Sequence, residues 1–247
     1  MNTTLPRALG LAALLAATAA CASTGSDADA GPMADHTASY IEMNAAPGRT
    51  RDLAEFLAGA APIVADTEPG TALWFALQAP QDRLAIFDVF VDEAARDAHF
   101  SGAVAAALEK NASELVDGGW EDGVLPGVFA SDVLSVKAPV DLERATTATY
   151  IPMRAAPGRA DELAELLAAG GAIVAETEPG TLFWAGLRID EERFAIFDVF
   201  ADEAGRQAHF AGQVAALLAE RAPDIVDGGW EDGVVANVDD FDIIAIR

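Results

Sequence analysis

The stretch Tyr40-Ile41-Glu42-Met43-Asn44-Ala45-Ala46-Pro47-Gly48-Arg49 returns as Tyr150-Ile151-Pro152-Met153-Arg154-Ala155-Ala156-Pro157-Gly158-Arg159, 110 residues further on. The offset holds without a gap. Thr67-Glu68-Pro69-Gly70-Thr71 meets Thr177-Glu178-Pro179-Gly180-Thr181, Phe87-Asp88-Val89-Phe90 meets Phe197-Asp198-Val199-Phe200, and Asp117-Gly118-Gly119-Trp120 meets Asp227-Gly228-Gly229-Trp230. From Tyr40 to Leu125, 52 of 86 positions are identical in the second copy. The same offset pairs Asp132–Lys137 with Asp242–Arg247, so the units run over 40–137 and 150–247, joined by a linker at 138–149. Two copies of this length are too few and too long for a solenoid; they read as a gene-fused dimer in which each repeat is the other's partner.

Within one unit the hydrophobic period changes in a readable order. Tyr40–Asn44 alternates as a short strand and Pro47-Gly48 breaks it. Residues 51–65 place Leu53, Phe56, Leu57, Ala60, Ile63 and Val64 at spacings of three and four, a helix whose second copy opens with Asp161 and Glu162. After the turn Glu68-Pro69-Gly70 come strands at 71–77 and 84–90. A second helix is expected from Asp92, its cap, to Leu108, with Phe100, Val104 and Leu108 as its core stripe. An acidic glycine loop, 117–123, leads to a closing strand at 133–137. The order β-α-β-β-α-β is the ferredoxin-like split motif, an α+β class.

The strand 84–90 is apolar on both faces apart from Asp88. Two helices cover one face of a four-stranded sheet, so the other face needs a partner, and the second copy is the nearest one. Two ferredoxin-like βαββαβ units packed sheet to sheet, closing an intrachain barrel with helices outside, is the expected architecture.

Further out, residues 1–20 hold one charged side chain, Arg7, and the Leu/Ala-rich run 8–20, the layout of a secretory signal ending at Ala19-Ala20-Cys21. The end resembles the bacterial lipoprotein signal, with residues 1–21 as signal and lipidation site and Cys21 as the lipid acceptor. The protein is then expected on the periplasmic side of the outer membrane, held to the membrane only by that lipid. Plain cleavage near Ala20, giving a soluble secreted or periplasmic protein, and an uncleaved anchor are the alternatives. The stretch 22–39, which contains His36, reads as a flexible tether.

Composition narrows the function classes. Of 247 residues, 52% are apolar and 22% charged, enough to build a core. Forty acids against fifteen bases leave a net charge of −25, which repels nucleic acid and anionic lipid. One cysteine and three histidines exclude a disulfide scaffold and an all-His/Cys metal site. The three acids of the loop 117–123 lack the alternating spacing of a calcium hand and read as a solvated loop anchored by Trp120.

The run Glu178-Pro179-Gly180-Thr181-Leu182-Phe183-Trp184, then Phe194-Ala195-Ile196-Phe197-Asp198-Val199-Phe200-Ala201-Asp202-Glu203-Ala204 and His209 downstream, resembles the antibiotic-biosynthesis-monooxygenase superfamily of dimeric α/β barrels. The likeness covers nearly all of both units. It speaks for the fold more than the activity, since the superfamily includes cofactor-free quinol and anthrone oxygenases, haem-degrading enzymes and members with no known reaction. Many members have Glu where Asp88 and Asp198 stand. Haem-degrading members carry an axial histidine about ten residues beyond the His99 position, where this chain has Glu109 and Ala219, so the resemblance implies no haem; no metal or other cofactor is expected either.

A cofactor-free oxygenase needs a greasy pocket for a small aromatic substrate, donors to hold its oxyanion and a proton acceptor near neutral pH. His99 and His209 are the expected catalytic bases, at matching places beside Gly102 and Gly212. Trp74 and Trp184 are candidates to floor the pocket, Asn44 and Arg154 to donate to an oxyanion, and Asp88 and Asp198 to contact substrate. Each also has a structural reading: helix packing for the histidines, core for the tryptophans, and for the aspartates an ion pair with Arg83 or Arg96 and their counterparts Arg193 or Arg206. Against the enzyme stands a non-catalytic envelope lipoprotein that binds a small apolar ligand in the barrel cavity. An open pocket reaching His99 or His209 favours the enzyme; a barrel filled by side chains favours the non-catalytic protein, whose barrel serves to bind that ligand or for nothing but assembly.

Overall fold

The computed structural model describes residues 36–138 and 140–247. The expected signal and Cys21 lie outside these residues. The first unit runs β1 (Thr37–Asn44), α1 (Thr50–Thr67), β2 (Thr71–Gln78), β3 (Arg83–Phe90), α2 (Glu93–Phe100), α3 (Ala103–Leu115) and β4 (Val128–Val136). The second repeats it as β5 (Thr147–Arg154), α4 (Ala160–Thr177), β6 (Thr181–Arg188), β7 (Arg193–Phe200), α5 (Glu203–Phe210), α6 (Gln213–Ile225), a short α7 (Gly229–Gly233) and β8 (Asp239–Ile246). Among the described residues no helix is long and apolar enough to cross a membrane.

The eight strands close into one barrel in the order β1-β3-β2-β8-β5-β7-β6-β4. The closing strands seal it. β4 pairs with β1 of its own unit through its first half and with β6 of the other unit through its second. β8 does the same with β5 and β2. Facing sheets are thus joined by shared strands, which leaves no free sheet edge. The closing strands are longer than the alternation at 133–137 suggests, because residues 128–132 pair within their own unit. β1 and β5 each begin three residues ahead of the Tyr40 and Tyr150 where the sequence alternation starts.

Two cores follow from the strand period. Ala85, Phe87 and Val89 of β3 point into the barrel, and Leu84 and Ile86 point to the helices. The interior is full: Tyr40 stacks on Tyr150 and Phe87 on Phe197, each pair with ring centroids 3.8 Å apart. Phe75 and Phe183 pack beside them. α1 and α4 lay Leu53, Leu57 and Val64, or Leu163, Leu167 and Val174, on the outer face.

The second helix differs from the expected continuous one. Asp92 caps it, accepting from the Ala95 amide at 2.7 Å, but it stops at Phe100. Ser101 folds its hydroxyl back to the Asp97 carbonyl at 2.8 Å and α3 starts afresh after Gly102. The break turns Phe100 outward, 37% exposed, whereas Val104 and Leu108 form the stripe.

Candidate functional site

Asp88 occupies an outward, helix-facing position of β3 and is fully buried. Ser39 of β1, directly across the ladder, donates its hydroxyl to Asp88 Oδ2 at 3.0 Å. The arginines proposed as its partners go elsewhere: Arg83 pairs with Glu42 and Asp239, and Arg96 with Glu93. The group that meets Asp88 is His99, whose Nε2 lies 3.7 Å from Asp88 Oδ2. The other ring nitrogen, Nδ1, lies 2.5 Å from Glu68 Oε2, and Thr71 donates to the same oxygen at 3.2 Å.

The second unit repeats the cluster. His209 Nδ1 is 2.5 Å from Glu178 Oε2 and Nε2 is 3.6 Å from Asp198 Oδ2, while Thr149 takes the place of Ser39 at 2.9 Å. Arg193 and Arg206 likewise pair with Asp190, Glu203 and Asp240 rather than with Asp198. Each imidazole is a strut between a strand carboxylate and a turn carboxylate.

Local structure explains the geometry. His99 sits in the last turn of α2, where a cation suits the helix end. Gly102 lets the turn carrying Glu68 approach: a Cβ there would lie 3.0 Å from Glu68 Oε1 and from the His99 carbonyl. Each turn is also tied to the opposite unit. The Lys137 ammonium at the end of β4 donates to the carbonyls of Glu178, at 2.9 Å, and Thr181; Arg247 at the end of β8 donates to the carbonyls of Thr71 and Ala72.

Burial dominates the electrostatics. It pushes the Asp88 carboxyl up from 3.8 to about 6, against the pull of His99 and the Ser39 hydroxyl; Asp198 is likewise raised to about 6 by burial, against His209 and Thr149. Burial opposes the charged form of His209, but Asp198 and Glu178 outweigh it and the group is raised above its usual range. Burial lowers the Lys137 ammonium.

A pocket of about 280 Å³ opens onto the first cluster, lined by Glu68, Pro69, Gly70, Thr71, Ala95, Ala98, His99 and Gly102 among others. The remaining expected site residues are placed differently. Trp74 and Trp184 are fully buried between sheet and helix, each directly opposite its aspartate in the ladder, so they floor no open space. Their indole nitrogens, with Asp88 Oδ1, Asp198 Oδ1, Glu68 Oε1 and Glu178 Oε1, have no hydrogen-bond partner among the described residues. Asn44 and Arg154 are exposed at strand ends on the barrel-facing side, opposite Arg83 and Arg193, away from the histidines. Glu68, Glu178, Ser39 and Thr149 are the residues sequence reasoning missed. Thr-Glu-Pro-Gly-Thr, kept whole in both copies, was the available signal, but it reads as a turn until the histidine is seen beside it. Among the described residues no three His, Cys, Asp or Glu side chains are arranged to hold a metal ion.

A scan against protein-family models finds no match, and a search of curated proteins finds none. Solved structures do match. A candidate monooxygenase of Fusobacterium nucleatum superposes with a TM-score of 0.72 at 15% identity, over 87% of this chain and 94% of its own. An anthrone oxidase-like protein superposes at 0.58 and 12% identity, over 86% and 93%. A ferredoxin-fold protein related to antibiotic biosynthesis monooxygenases, from Listeria monocytogenes, does so at 0.50 and 8%, over 85% and 96%. These matches span both repeats, and at such identities it is the architecture that is shared: the chain has the dimeric α/β-barrel fold of the antibiotic-biosynthesis-monooxygenase superfamily, with both ferredoxin-like units of the barrel in one polypeptide.

Proposed function

We propose that this chain is an exported monooxygenase that needs no metal, haem or flavin and acts on a quinol or another electron-rich aromatic such as an anthrone. The observation that carries the reading is the pocket at Glu68 and His99, with a buried Asp88 behind it whose carboxyl is raised to about 6. At about 280 Å³ the pocket lies at the lower end of the range for small-molecule pockets, room for a small planar aromatic. Loss of the substrate's acidic proton to the Glu68–His99–Asp88 cluster leaves an electron-rich anion that reduces O₂ directly. For an anthrone the methylene becomes a carbonyl, one oxygen atom entering the product and the other leaving as water, so no outside reductant is consumed. The anthrone oxidase-like structural neighbour supports this substrate class.

Export belongs to the same proposal: Cys21 carries lipid and the mature chain faces the periplasm from the outer membrane. Intact mass of the mature protein tests it; residues 1–20 retained, or Cys21 unmodified, would overturn it.

The test of the chemistry is O₂ uptake by the purified protein with a panel of quinols and anthrones. Substrate-dependent uptake that survives a chelator is expected. The double variant His99→Gln/His209→Gln, confirmed folded by circular dichroism, should lose about 10²- to 10⁴-fold in rate. Full activity in that variant, or loss on chelation, would refute the assignment.

A second reading has its own observation. Aromatic side chains fill the barrel interior, and both nitrogens of each histidine already face carboxylates. On this reading the chain is a non-catalytic envelope lipoprotein and the clusters are struts; no O₂ uptake across the panel, with the folded structure intact, would favour it.

A further inference from the structure

The two repeats differ most tellingly at one end of the barrel. A pocket of about 400 Å³ lies there between the units, bounded by the stacked Tyr40 and Tyr150, by Phe129, and by Arg154 and Arg193, with the ion-paired Glu42, Arg83 and Asp239 on its other wall. We propose that it is a ligand site for a small aromatic carboxylate, separate from the histidine clusters and independent of the oxygenase reading.

The argument comes from comparing repeat-mates in the same register. Arg83 is neutralised: its Nη1 is 3.3 Å from Glu42 Oε2 and its Nη2 is 2.6 Å from Asp239 Oδ1. Arg193 holds the equivalent place in the second unit, but there the counterpart of Glu42 is Pro152 and the counterpart of Asp239 is Phe129. An acid has become a ring in each position. The Arg193 guanidinium stands 5.9 Å from the centre of the Phe129 ring and uses only its Nε, on Asp190 at 2.6 Å. Both its terminal nitrogens lack a partner among the described residues.

Two neighbours reinforce this. Tyr40 donates its hydroxyl to Glu42 at 2.8 Å, and Tyr150, with no glutamate two residues on, has a hydroxyl with no protein partner among the described residues. Asn44, opposite Arg83, becomes Arg154, opposite Arg193, and two guanidinium groups facing each other on one sheet face repel. Arg154 has Glu192 and Arg193 has Asp190, both at the solvent side. What remains is an open, planar fork beside a phenol and between aromatic walls. A carboxylate takes two parallel hydrogen bonds from such a fork, and a ring attached to it packs on Phe129 and the tyrosines.

The experiment is calorimetric titration of the folded, signal-less chain with 4-hydroxybenzoate, with benzyl alcohol and acetate as partial probes. Saturable binding of 4-hydroxybenzoate is expected, at least tenfold tighter than either partial probe. Arg193→Gln should weaken it about tenfold or more. Pro152→Glu, which restores to the second unit the acid that silences Arg83, should do the same without removing any cation, so a folding defect in the first variant leaves the proposal testable. Arg51→Gln, on a distant helix face, should change nothing. No saturation by about 10 mM, equal binding of benzyl alcohol, unchanged affinity in Arg193→Gln or Pro152→Glu, or loss of binding in a His99→Gln/His209→Gln variant shown to be folded would each overturn it.

Discussion

The helix-facing layer and the barrel mouth have followed opposite courses since the repeat was duplicated. In the layer under the helices, the cluster Glu68–His99–Asp88 and its copy Glu178–His209–Asp198 agree to within 0.1 Å in their imidazole–carboxylate distances. At the mouth, Glu42, Asn44 and Phe129 face Pro152, Arg154 and Asp239, and the charge pattern is rewritten. The physical reason lies in burial. A buried imidazole between two carboxylates tolerates no partial change, because losing one member leaves the others unsolvated, whereas a solvent-facing mouth charge can be replaced at small cost.

The largest expected effect is a direct challenge to that symmetry. His99→Ala or His209→Ala leaves two buried carboxylates without the imidazole between them and should cost about 3–5 kcal/mol in either unit. Chemical denaturation of the two single variants checks this; a loss confined to one unit would show that the clusters are not equivalent.

Stability against pH comes next. Asp88 and Asp198 are raised from 3.8 to about 6, so between these values the folded state holds protons that the unfolded chain releases. Stability from these groups is therefore present at acid pH and lost as pH rises through the window from about 4 to 6, by roughly 3 kcal/mol per carboxyl at most. His209, also raised, adds stability present below its unfolded value and lost at higher pH, the same sign. Asp88→Asn/Asp198→Asn should flatten the melting temperature across that window; an unchanged slope would show that the acidic surface alone sets it.

A smaller effect probes where the units differ in packing. Ala61 of α1 has become Gly171 in α4, and its amide meets Ser135 Oγ of β4 at 3.2 Å. A Cβ on Gly171 would lie 2.5 Å from the Val136 carbonyl oxygen. Gly171→Ala should destabilise by about 1–3 kcal/mol through overpacking, although alanine is the better helix former. Ala61→Gly, in the first unit, should lose only about 0.5–1 kcal/mol. Equal costs would mean that α4 simply moves away. Smallest of all is Arg51→Ala, which removes an exposed pair with Glu55 and should change stability by no more than about 0.5 kcal/mol.

Much of the architecture was legible from residue order. The 110-residue repeat, the β-α-β-β-α-β order and the doubly apolar strand at Phe87 and its copy at Phe197 were enough for a barrel built from both units, because burial on both faces leaves a strand nowhere else to go. The break at Gly102 was not legible, since apolar residues continue at helical spacing through Phe100 and Val104, and only the approach of Glu68 explains the glycine. Of the expected site, His99 with Asp88 and His209 with Asp198 do meet; the tryptophans and the Asn44/Arg154 pair lie elsewhere. Strand alternation says which face a side chain takes, and neither the helix that covers it nor the turn that reaches over it.

The sequence by itself determined the fold class, the duplication and which strands are buried on both sides, because these depend on local period and on self-similarity. Only the tertiary structure decided that His99 rather than an arginine answers Asp88, that aromatic stacks fill the barrel, and that Arg193 keeps an open fork where Arg83 has none. Those outcomes depend on distances between residues on different elements, and hydrophobic pattern carries no information about which of two like charges finds the partner.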